Sequence, residues 1–380
     1  MAPVQISDVK VVKDHLKDEI TFTLKNVDTR VANSLRRTIL SDIECVVFKT
    51  FPDEANQCKI TTNKSLFHNE IVKQRLSCIP ITRHAGLKLD DTIEMVLSVK
   101  NESNVVRVVT TEDFKLRRIR DPSDDAASDD SKSDPSEEDV RATFPPKIID
   151  GKKYYITFLR LRPQISDTIL GEEIALTCKF KVGTAKESGM FNVVSKCSYV
   201  FTPDVLTSNR VWMEKEKETK GGTREENKLE ETNWKLLDAK RYFIPNSFDF
   251  TIRGIGIYSP NMIVKLACQT IIKQLKALQT HSENAYIITD NDTTMTNSKD
   301  YILVNGDYTI GKILECQFYE GMFPNKLVQY VSFFKKHPHD DEGVLRVTFT
   351  SPTEIATMQE YMNVACDNLI LIYTQIIQAF

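Results

Sequence analysis

The residues with the clearest chemical potential form a basic face on a predicted helix over residues 27–46. Apolar side chains recur there about every four positions, which is typical of one buried helix face. The opposite face carries Arg30, Asn33 and Arg37 in one row, with Arg36 beside it. Guanidinium and amide groups donate hydrogen bonds, so this face suits binding. The alternative is an ordinary amphipathic helix whose arginines are solvated.

No residue pattern predicts an active site. The sequence has no D-x-D-x-D cluster for catalytic metals and no patterned Ser/His/Asp set. Its eight cysteines are scattered without a C-x-x-C pair, so we expect no bound metal and no cofactor. His68 is interpreted as a surface residue, because no second titratable partner is patterned near it. A hydrolase that uses one of the six histidines is therefore a weak hypothesis.

Composition predicts a folded protein of two or three domains. The chain has 380 residues, of which 41% are hydrophobic. This length exceeds that of most domains with a single hydrophobic core. Its formal charge of −3 argues against a chain that wraps nucleic acid, so contact with DNA or RNA should be local or supplied by partners. Without a signal sequence or a long apolar run, we expect a soluble protein in a reducing compartment.

The elements that must position the basic face are strands and short helices. Residues 20–24 alternate as a strand that leads into the first helix. A second, short helix within residues 61–81 has Leu66, Ile71, Leu76 and Ile79 as expected inward positions. Residues 91–118 alternate as two strands. Residues 121–139 contain nine acidic residues and one lysine, which predicts a disordered loop, with an acidic interaction or phosphorylation segment as the alternative.

Two further segments are polar. Residues 183–187 read G-T-A-K-E, with Lys186 and Glu187 as a charged pair; a phosphate-cradling loop is disfavoured, because the glycine spacing fits no nucleotide-binding pattern. The run 214–231 contains residues of both charge signs, which predicts an exposed segment that leaves the folded core.

The second half of the chain repeats the order of strand, helix, strand and long helix. Two long helices begin at Ser259-Pro260 and Ser351-Pro352, where serine would cap and proline would occupy the first turn. Both carry apolar residues at alternating spacings of three and four, which indicates helices packed lengthwise on each other. The predicted seam comprises Val264, Cys268, Ile271, Leu275, Leu278, Ile355, Met358, Met362, Ala365, Leu369, Ile372 and Ile376. Residues 279–300 are polar and predict a linker.

The segment R-V-A-N-S-L-R-R-T-I-L at 30–40 resembles the first helix of the bacterial RNA polymerase alpha subunit family, which includes the third-largest eukaryotic subunit and archaeal D. Glu70, Arg75 and the I-P-I at 79–81 stand where that family has similar residues, and the loop at 183–195 resembles a family loop. D-x-T-I-G at 307–311, followed by His337-Pro338, is similar to the eleventh subunit or archaeal L. The chain therefore resembles a fusion of the two, as in large cytoplasmic DNA viruses.

The resemblance implies an α+β fold: an alpha-subunit-like dimerisation fold of a sheet with long helices, carrying an inserted mostly-β domain, then a second, smaller alpha-like dimerisation fold packed pseudo-symmetrically on it. The first fold would comprise residues 1–51 and 178–280, the inserted domain 52–177, the linker 279–300 and the second fold 301–380. Relatives carry a cysteine-rich metal site in the inserted domain, but this chain has no cysteine between Cys78 and Cys178.

The implied function is that of a non-catalytic assembly platform in a DNA-directed RNA polymerase, present once per complex. It would dock the second-largest and then the largest subunit, contact small core subunits, and meet nucleic acid only through the complex, away from membranes. The implied docking residues are Arg30, Asn33, Arg36, Arg37, Glu70, Arg75, Lys186 and Glu187. The implied location is host cytoplasm and virion for a viral protein, otherwise the nucleus. The alternative is a standalone regulatory or scaffold protein outside the polymerase core.

Overall fold

The computed structural model describes residues 3–14, 17–83, 87–90, 92–119, 134–166, 168–218, 224–291 and 293–380. The helices in these ranges are α1 (Thr29–Ser41), α2 (Asn69–Ser77), α3 (Glu137–Thr143), α4 (Val205–Glu218), α5 (Arg224–Leu236), α6 (Pro260–Leu278), α7 (Tyr308–Met322) and α8 (Ile355–Ala379). The strands are β1 (Gln5–Asp14), β2 (Lys17–Lys25), β3 (Cys45–Phe48), β4 (Cys58–Asn63), β5 (Ile93–Lys100), β6 (Arg107–Thr110), β7 (Lys115–Arg118), β8 (Lys147–Ile149), β9 (Lys152–Tyr154), β10 (Thr157–Leu161), β11 (Glu173–Gly183), β12 (Val194–Pro203), β13 (Phe243–Gly254), β14 (Tyr286–Asp290), β15 (Ser298–Leu303), β16 (Val328–Phe334) and β17 (Gly343–Phe349).

The first sheet has the antiparallel order β1-β2-β13-β12. Ile20, Phe22 and Leu24 point into the core because they alternate along β2, as the sequence predicts. Phe22 lies opposite Phe250 on β13, and the two rings stack with centroids 5.1 Å apart. Helices α1 and α6 pack on this sheet.

Helix α1 begins as its sequence predicts. The Asp28 carboxylate caps it by accepting a hydrogen bond from the Arg30 amide at 2.7 Å. Val31, Leu35 and Ile39 are buried on one face, which leaves the arginines on the other.

A second hydrophobic core lies among the strands between residues 45 and 183. One side of this core is a sheet of order β3-β11-β5-β7, in which β4 also pairs with β11. Helices α2 and α3 pack against the inner side of this sheet. Strand β3 divides its side chains between cores: Val46 and Phe48 belong to this one, whereas Cys45 and Val47 belong to the core of the first sheet. Because successive side chains of β3 point to opposite sides, this one strand contributes to both cores, and no linker separates them.

The second four-stranded sheet repeats the order of the first. Its order is β14-β15-β17-β16, and in both sheets the first strand pair is followed by a helix (α1 or α7) and the last pair by a longer helix (α6 or α8). In the first sheet, β3 to β11 also stand between α1 and β12, and α4 and α5 connect β12 to β13. The prediction of a plain linker over 279–300 is wrong, because β14 and the start of β15 lie within it. Residues 286–289 read Y-I-I-T, which are strand-forming residues, and they pair with β15, so the average polarity of residues 279–300 concealed a local strand signal.

Helices α6 and α8 pack against each other, and one hydrophobic core takes side chains from both four-stranded sheets. Ten residues of the predicted seam are buried: Val264, Cys268, Ile271, Leu275, Leu278, Met358, Met362, Ala365, Leu369 and Ile376. Ile372 is partly buried, but Ile355 is 60% exposed, so its assignment to the seam is wrong. Cys366 and Tyr373 are buried on the same helix.

The start of α8 also differs from its prediction. The helix begins at Ile355 with Glu354 at the N-cap position and no side-chain cap, so Ser351 and Pro352 lie before it. Ile355 is exposed because it occupies the first turn, beyond the end of the buried face.

The two charged runs contain helices. Residues 121–133 of the predicted acidic loop lie outside the described residues, but the last residues of this segment form regular structure. The Ser136 hydroxyl and the Asp139 carboxylate form a capping box that starts α3. The described residues of the run 214–231 fall in α4 and α5, and residues 219–223 lie outside the described residues. The Trp212 ring of α4 and the Trp234 ring of α5 lie 5.9 Å apart. None of the described helices is long and apolar enough to span a bilayer.

Candidate subunit-docking surface

Two arginines of the predicted basic face contact α7. Arg37 donates from Nε to the Thr309 hydroxyl at 2.9 Å. Arg30 binds Asp28 at 2.7 Å and lies 3.5 Å from the Glu320 carboxylate. Both α7 residues belong to the second sheet's unit, so these cations hold the two parts of the chain together.

The other two residues of the row pair with each other. Arg36 donates from Nε and Nη2 to the Asn33 amide oxygen at 3.1 and 2.9 Å. Both side chains are partly exposed on the side of α1 that lies over β12. This pair fixes the guanidinium plane and leaves part of it open to solvent, so it remains available to a partner.

Lys186 joins the end of α1 to the start of α7. Its ammonium group lies 2.5 Å from the Asp42 carboxylate and 3.2 Å from the Asp307 carboxylate, while its amide donates to the Ser41 carbonyl at 3.1 Å. Burial lowers the pKa of Lys186, but the two carboxylates raise it more, so the net shift is upward.

Asp307 is the N-cap of α7 and accepts from the Thr309 and Ile310 amides. Burial raises the pKa of its carboxyl, but Lys186, the Ile310 amide and the Thr309 hydroxyl lower that pKa below its ordinary value. Asp42, at the C-terminus of α1, is buried. The predicted partner of Lys186, Glu187, instead accepts a hydrogen bond from the Thr184 amide at 3.3 Å and stabilises its own loop.

Sequence reasoning did not identify Asp42 or Asp307 as functional residues. A signal was available for Asp307, because an aspartate two residues before a threonine at a helix start is an N-cap pattern. No comparable signal identifies Asp42, because its ion pair depends on Lys186, which lies in a loop distant in sequence.

The remaining predicted docking residues lie on α2. Arg75 donates to the Phe158 and Thr157 carbonyls at 2.7 and 3.3 Å, so it ties α2 to β10. Glu70 is exposed in the first turn of the helix.

Apolar residues beside Glu70 are also exposed, contrary to their predicted inward positions. Leu66 is 70% exposed and Ile71 36%, whereas Val72 and Leu76 are completely buried. The short helix turns a different face inward because it begins only at Asn69, so Leu66 precedes it. An exposed apolar cluster beside a carboxylate is typical of a protein-binding surface.

A group of possible metal ligands lies where α1 meets α7. Donor atoms of Asp28, Cys316 and Glu320 lie within 4.8 Å of one another. Arg30 already binds the Asp28 carboxylate and approaches that of Glu320, and its fixed positive charge would oppose a cation. The geometry therefore suits an ion-pair network rather than a metal site.

Three of the four described histidines contact other rings. The His281 Nδ1 and the Tyr286 hydroxyl lie 2.6 Å apart, and the His337 and His339 rings stack at 5.1 Å. His68 precedes α2 at its N-cap position without capping it through its side chain.

A paired-helix core between two sheets of the same order, with charged residues fastening one half to the other, defines a dimerisation fold. The model of the RNA polymerase Rpb3/Rpb11 dimerisation domain matches residues 21–275, and the chain belongs to this family. The match extends from β2 to near the end of α6 and includes the strands and helices between them.

Relatives in the curated proteins agree with this membership. The chain is 24% identical over 213 residues to the DNA-directed RNA polymerases IV and V subunit 3B of Arabidopsis thaliana, and 23% identical over 202 residues to the DNA-directed RNA polymerases II, IV and V subunit 3 of the same plant. Each match covers 52% of this chain and 58% of the relative. A conjugation stage-specific protein of Tetrahymena thermophila is 24% identical over 53% of this chain and 63% of its own length. The chain thus spans about three fifths of the length of these relatives.

Proposed function

We propose that this chain is a non-catalytic assembly subunit of a multisubunit DNA-directed RNA polymerase, in which two alpha-like dimerisation folds are fused. The observation that carries this proposal is the core shared by α6 and α8, which joins two sheets of identical strand order. In this proposal, residues 286–380 take the place that a separate eleventh subunit has in relatives, as the D-x-T-I-G resemblance implies.

The connection between the two folds supports fusion. Residues 279–285 link α6 to β14, and a flexible chain of seven residues has a root-mean-square reach of about 15 Å. Such a short connection makes pairing intramolecular, at an effective concentration on the order of millimolar. The Gln279 side chain donates to the Asp367 carboxylate of α8 at 2.8 Å and thereby fastens the connection where it begins.

The docking surface in this proposal includes the α2 side of the molecule. Arg30, Arg37 and Lys186 are engaged with the second fold, so they act mainly within the chain. Glu70 and the exposed Leu66 and Ile71 offer apolar area beside a charge, which is the composition of a subunit interface. The Asn33–Arg36 pair provides a second contact region. The second-largest subunit would bind these regions first, and the largest subunit would follow.

The experiment is affinity purification of the tagged full chain from its native source, followed by a high-salt wash and mass spectrometry. The proposal requires two very large polymerase subunits in one-to-one ratio with the chain. A standalone regulator would instead elute alone or with unrelated proteins, and that result would refute the proposal.

The docking surface is tested in the same preparation. Ile71→Glu should retain the melting temperature and lose capture of the second-largest subunit, because a charge would enter the apolar contact. Val108→Glu, at a residue that is 45% exposed on β6, is the matched control and should capture normally. Equal capture of the second-largest subunit by both variants would show that Ile71 does not belong to the docking surface.

A further inference from the structure

The outer side of the five-stranded sheet presents a cluster of positive charge that the subunit role does not use. The lysine face comprises Lys59, Lys115, Arg117, Lys179 and Lys181, all exposed. Most of their neighbours in sequence belong to the second core on the inner side, where α2 and α3 also contribute side chains: Cys58, Phe114, Leu116, Cys178 and Phe180. The alternation of side chains along each strand therefore places these cations together on the opposite side. At the β3 edge this side meets the core of the first sheet through Val47, which lies opposite Lys181.

Pairing between the strands fixes how the cations are arranged. Lys179 lies opposite Glu94, which lies opposite Arg117, while Lys59 lies opposite Thr177 in the adjacent row. Lys179 and Lys181 are two residues apart, or about 6.8 Å, as are Lys115 and Arg117. Strands β7 and β11 are separated by β5, so the two cation pairs lie roughly 10 Å apart.

Most of this charge is unbalanced. Arg117 is paired with Glu94 at 2.5 Å, but within the described ranges none of the four lysines forms an ion pair. The whole chain has a formal charge of −3, so the positive charge is a local feature against an acidic background. Four uncompensated lysines on one sheet side attract a polyanion and repel basic partners.

The composition of the face distinguishes between polyanions. Lysine is depleted in protein–protein interfaces, whereas protein–DNA interfaces are strongly positive. Single-stranded nucleic acid is usually held by aromatic stacking, but the described outward positions of β4, β5, β7 and β11 carry no aromatic side chain. Flexible lysines act as point charges suited to phosphate groups.

We propose that the lysine face binds the phosphate backbone of duplex DNA without reading its sequence. This role lies beyond the assembly function and does not require it, since the full chain alone should bind. It revises the expectation that the chain meets nucleic acid only indirectly: the contact is direct but local.

The test is fluorescence anisotropy of a labelled 30-base-pair duplex of random sequence with the purified full chain, in salt from 50 to 200 mM. Each phosphate contact contributes about 0.9 to the slope of log affinity against log salt, so four lysines give a slope of about 3.6 and roughly a 150-fold loss of affinity over this range. The variant carries Lys59→Gln, Lys115→Gln, Lys179→Gln and Lys181→Gln. Its matched control changes four exposed lysines on other surfaces, Lys196→Gln, Lys273→Gln, Lys276→Gln and Lys336→Gln, and has the same net charge.

The proposal expects the face variant to lose most of the salt dependence and to bind at least about tenfold more weakly at 50 mM, while the control binds like wild type. Equal losses of DNA affinity in the two variants would show that net charge, and not the position of the lysines, causes the effect, and this result would overturn the proposal. Absence of wild-type binding up to about 100 μM would also overturn it. Tighter binding of polyglutamate than of the duplex would identify an acidic protein as the occupant, and equal binding of single-stranded DNA would refute the duplex preference.

Discussion

Truncation of Met362 tests whether the two folds share one cooperative core. Met362 is completely buried on α8, within the cluster that contains side chains from both four-stranded sheets. Met362→Ala removes this packing and leaves a cavity. Leu371→Ala on the same helix is the matched control, because Leu371 is 58% exposed and its removal creates no cavity.

The expected effect follows from burial and chain length. Buried Met→Ala changes cost about 2–5 kcal/mol, whereas exposed changes usually stay within about 0.5 kcal/mol. Unfolding entropy is about 2.1 cal/mol/K per residue, so 380 residues that unfold together give about 0.8 kcal/mol/K. The melting temperature of Met362→Ala should therefore fall by about 2.5–6 °C. If the last fold of about 95 residues unfolded separately, its own transition would fall by roughly 10–25 °C.

Differential scanning calorimetry distinguishes these cases. Our interpretation requires that whichever transition contains α6 also contains α8, and that it shifts by the smaller amount in Met362→Ala. A separate low-temperature transition that moves alone by more than about 10 °C would contradict the shared core. An equal shift in Leu371→Ala would show that the burial argument is wrong.

Two further predictions concern polar contacts between the folds. The buried Tyr373 and Ser34 hydroxyls are hydrogen-bonded, and Ser34 also donates to the Val31 carbonyl. Because Ser34 keeps this second partner, Tyr373→Phe should lower the free energy of unfolding in urea by only about 0.5–1.5 kcal/mol. A loss above about 3 kcal/mol would mean that Ser34 is left unsatisfied. Because the pKa of Asp307 is lowered in the folded protein, its carboxylate stabilises the fold above its ordinary pKa near 3.8 and this contribution disappears as pH falls below that value. Lys186→Met should therefore be less stable than wild type at pH 7, with the difference shrinking toward pH 3; a difference that does not change with pH would refute the bridge.

Local patterns predicted much of the secondary structure. Alternation identified β2 and β13, and the N-cap aspartate with its four-residue apolar spacing identified α1. The seams of α6 and α8 were predicted because burial of a helix stripe follows the helical repeat. An error occurred where polarity was averaged over a long stretch: β14 reads Y-I-I-T-D, a strand-forming sequence that pairs with β15 between polar flanks.

The candidate site was less predictable than the fold. The sequence predicts binding capacity for Arg30, Arg37 and Lys186, yet the same guanidinium or ammonium group can bind a partner or another part of its own chain. Which of these occurs depends on Thr309, Glu320 and Asp307, which lie more than 120 residues away in sequence.

The sequence by itself determined most of the buried residues on β2, α1, α6 and α8, because burial on these long elements follows periodicities of 2 and 3.6 residues. It also determined the repeated order of elements. Only the tertiary structure decided that two of the three arginines of α1 reach α7, that Leu66 and Ile71 face solvent, and that lysines from separate strands form one face. These features depend on strand register and on helix packing across the chain, and neither is encoded within any one segment.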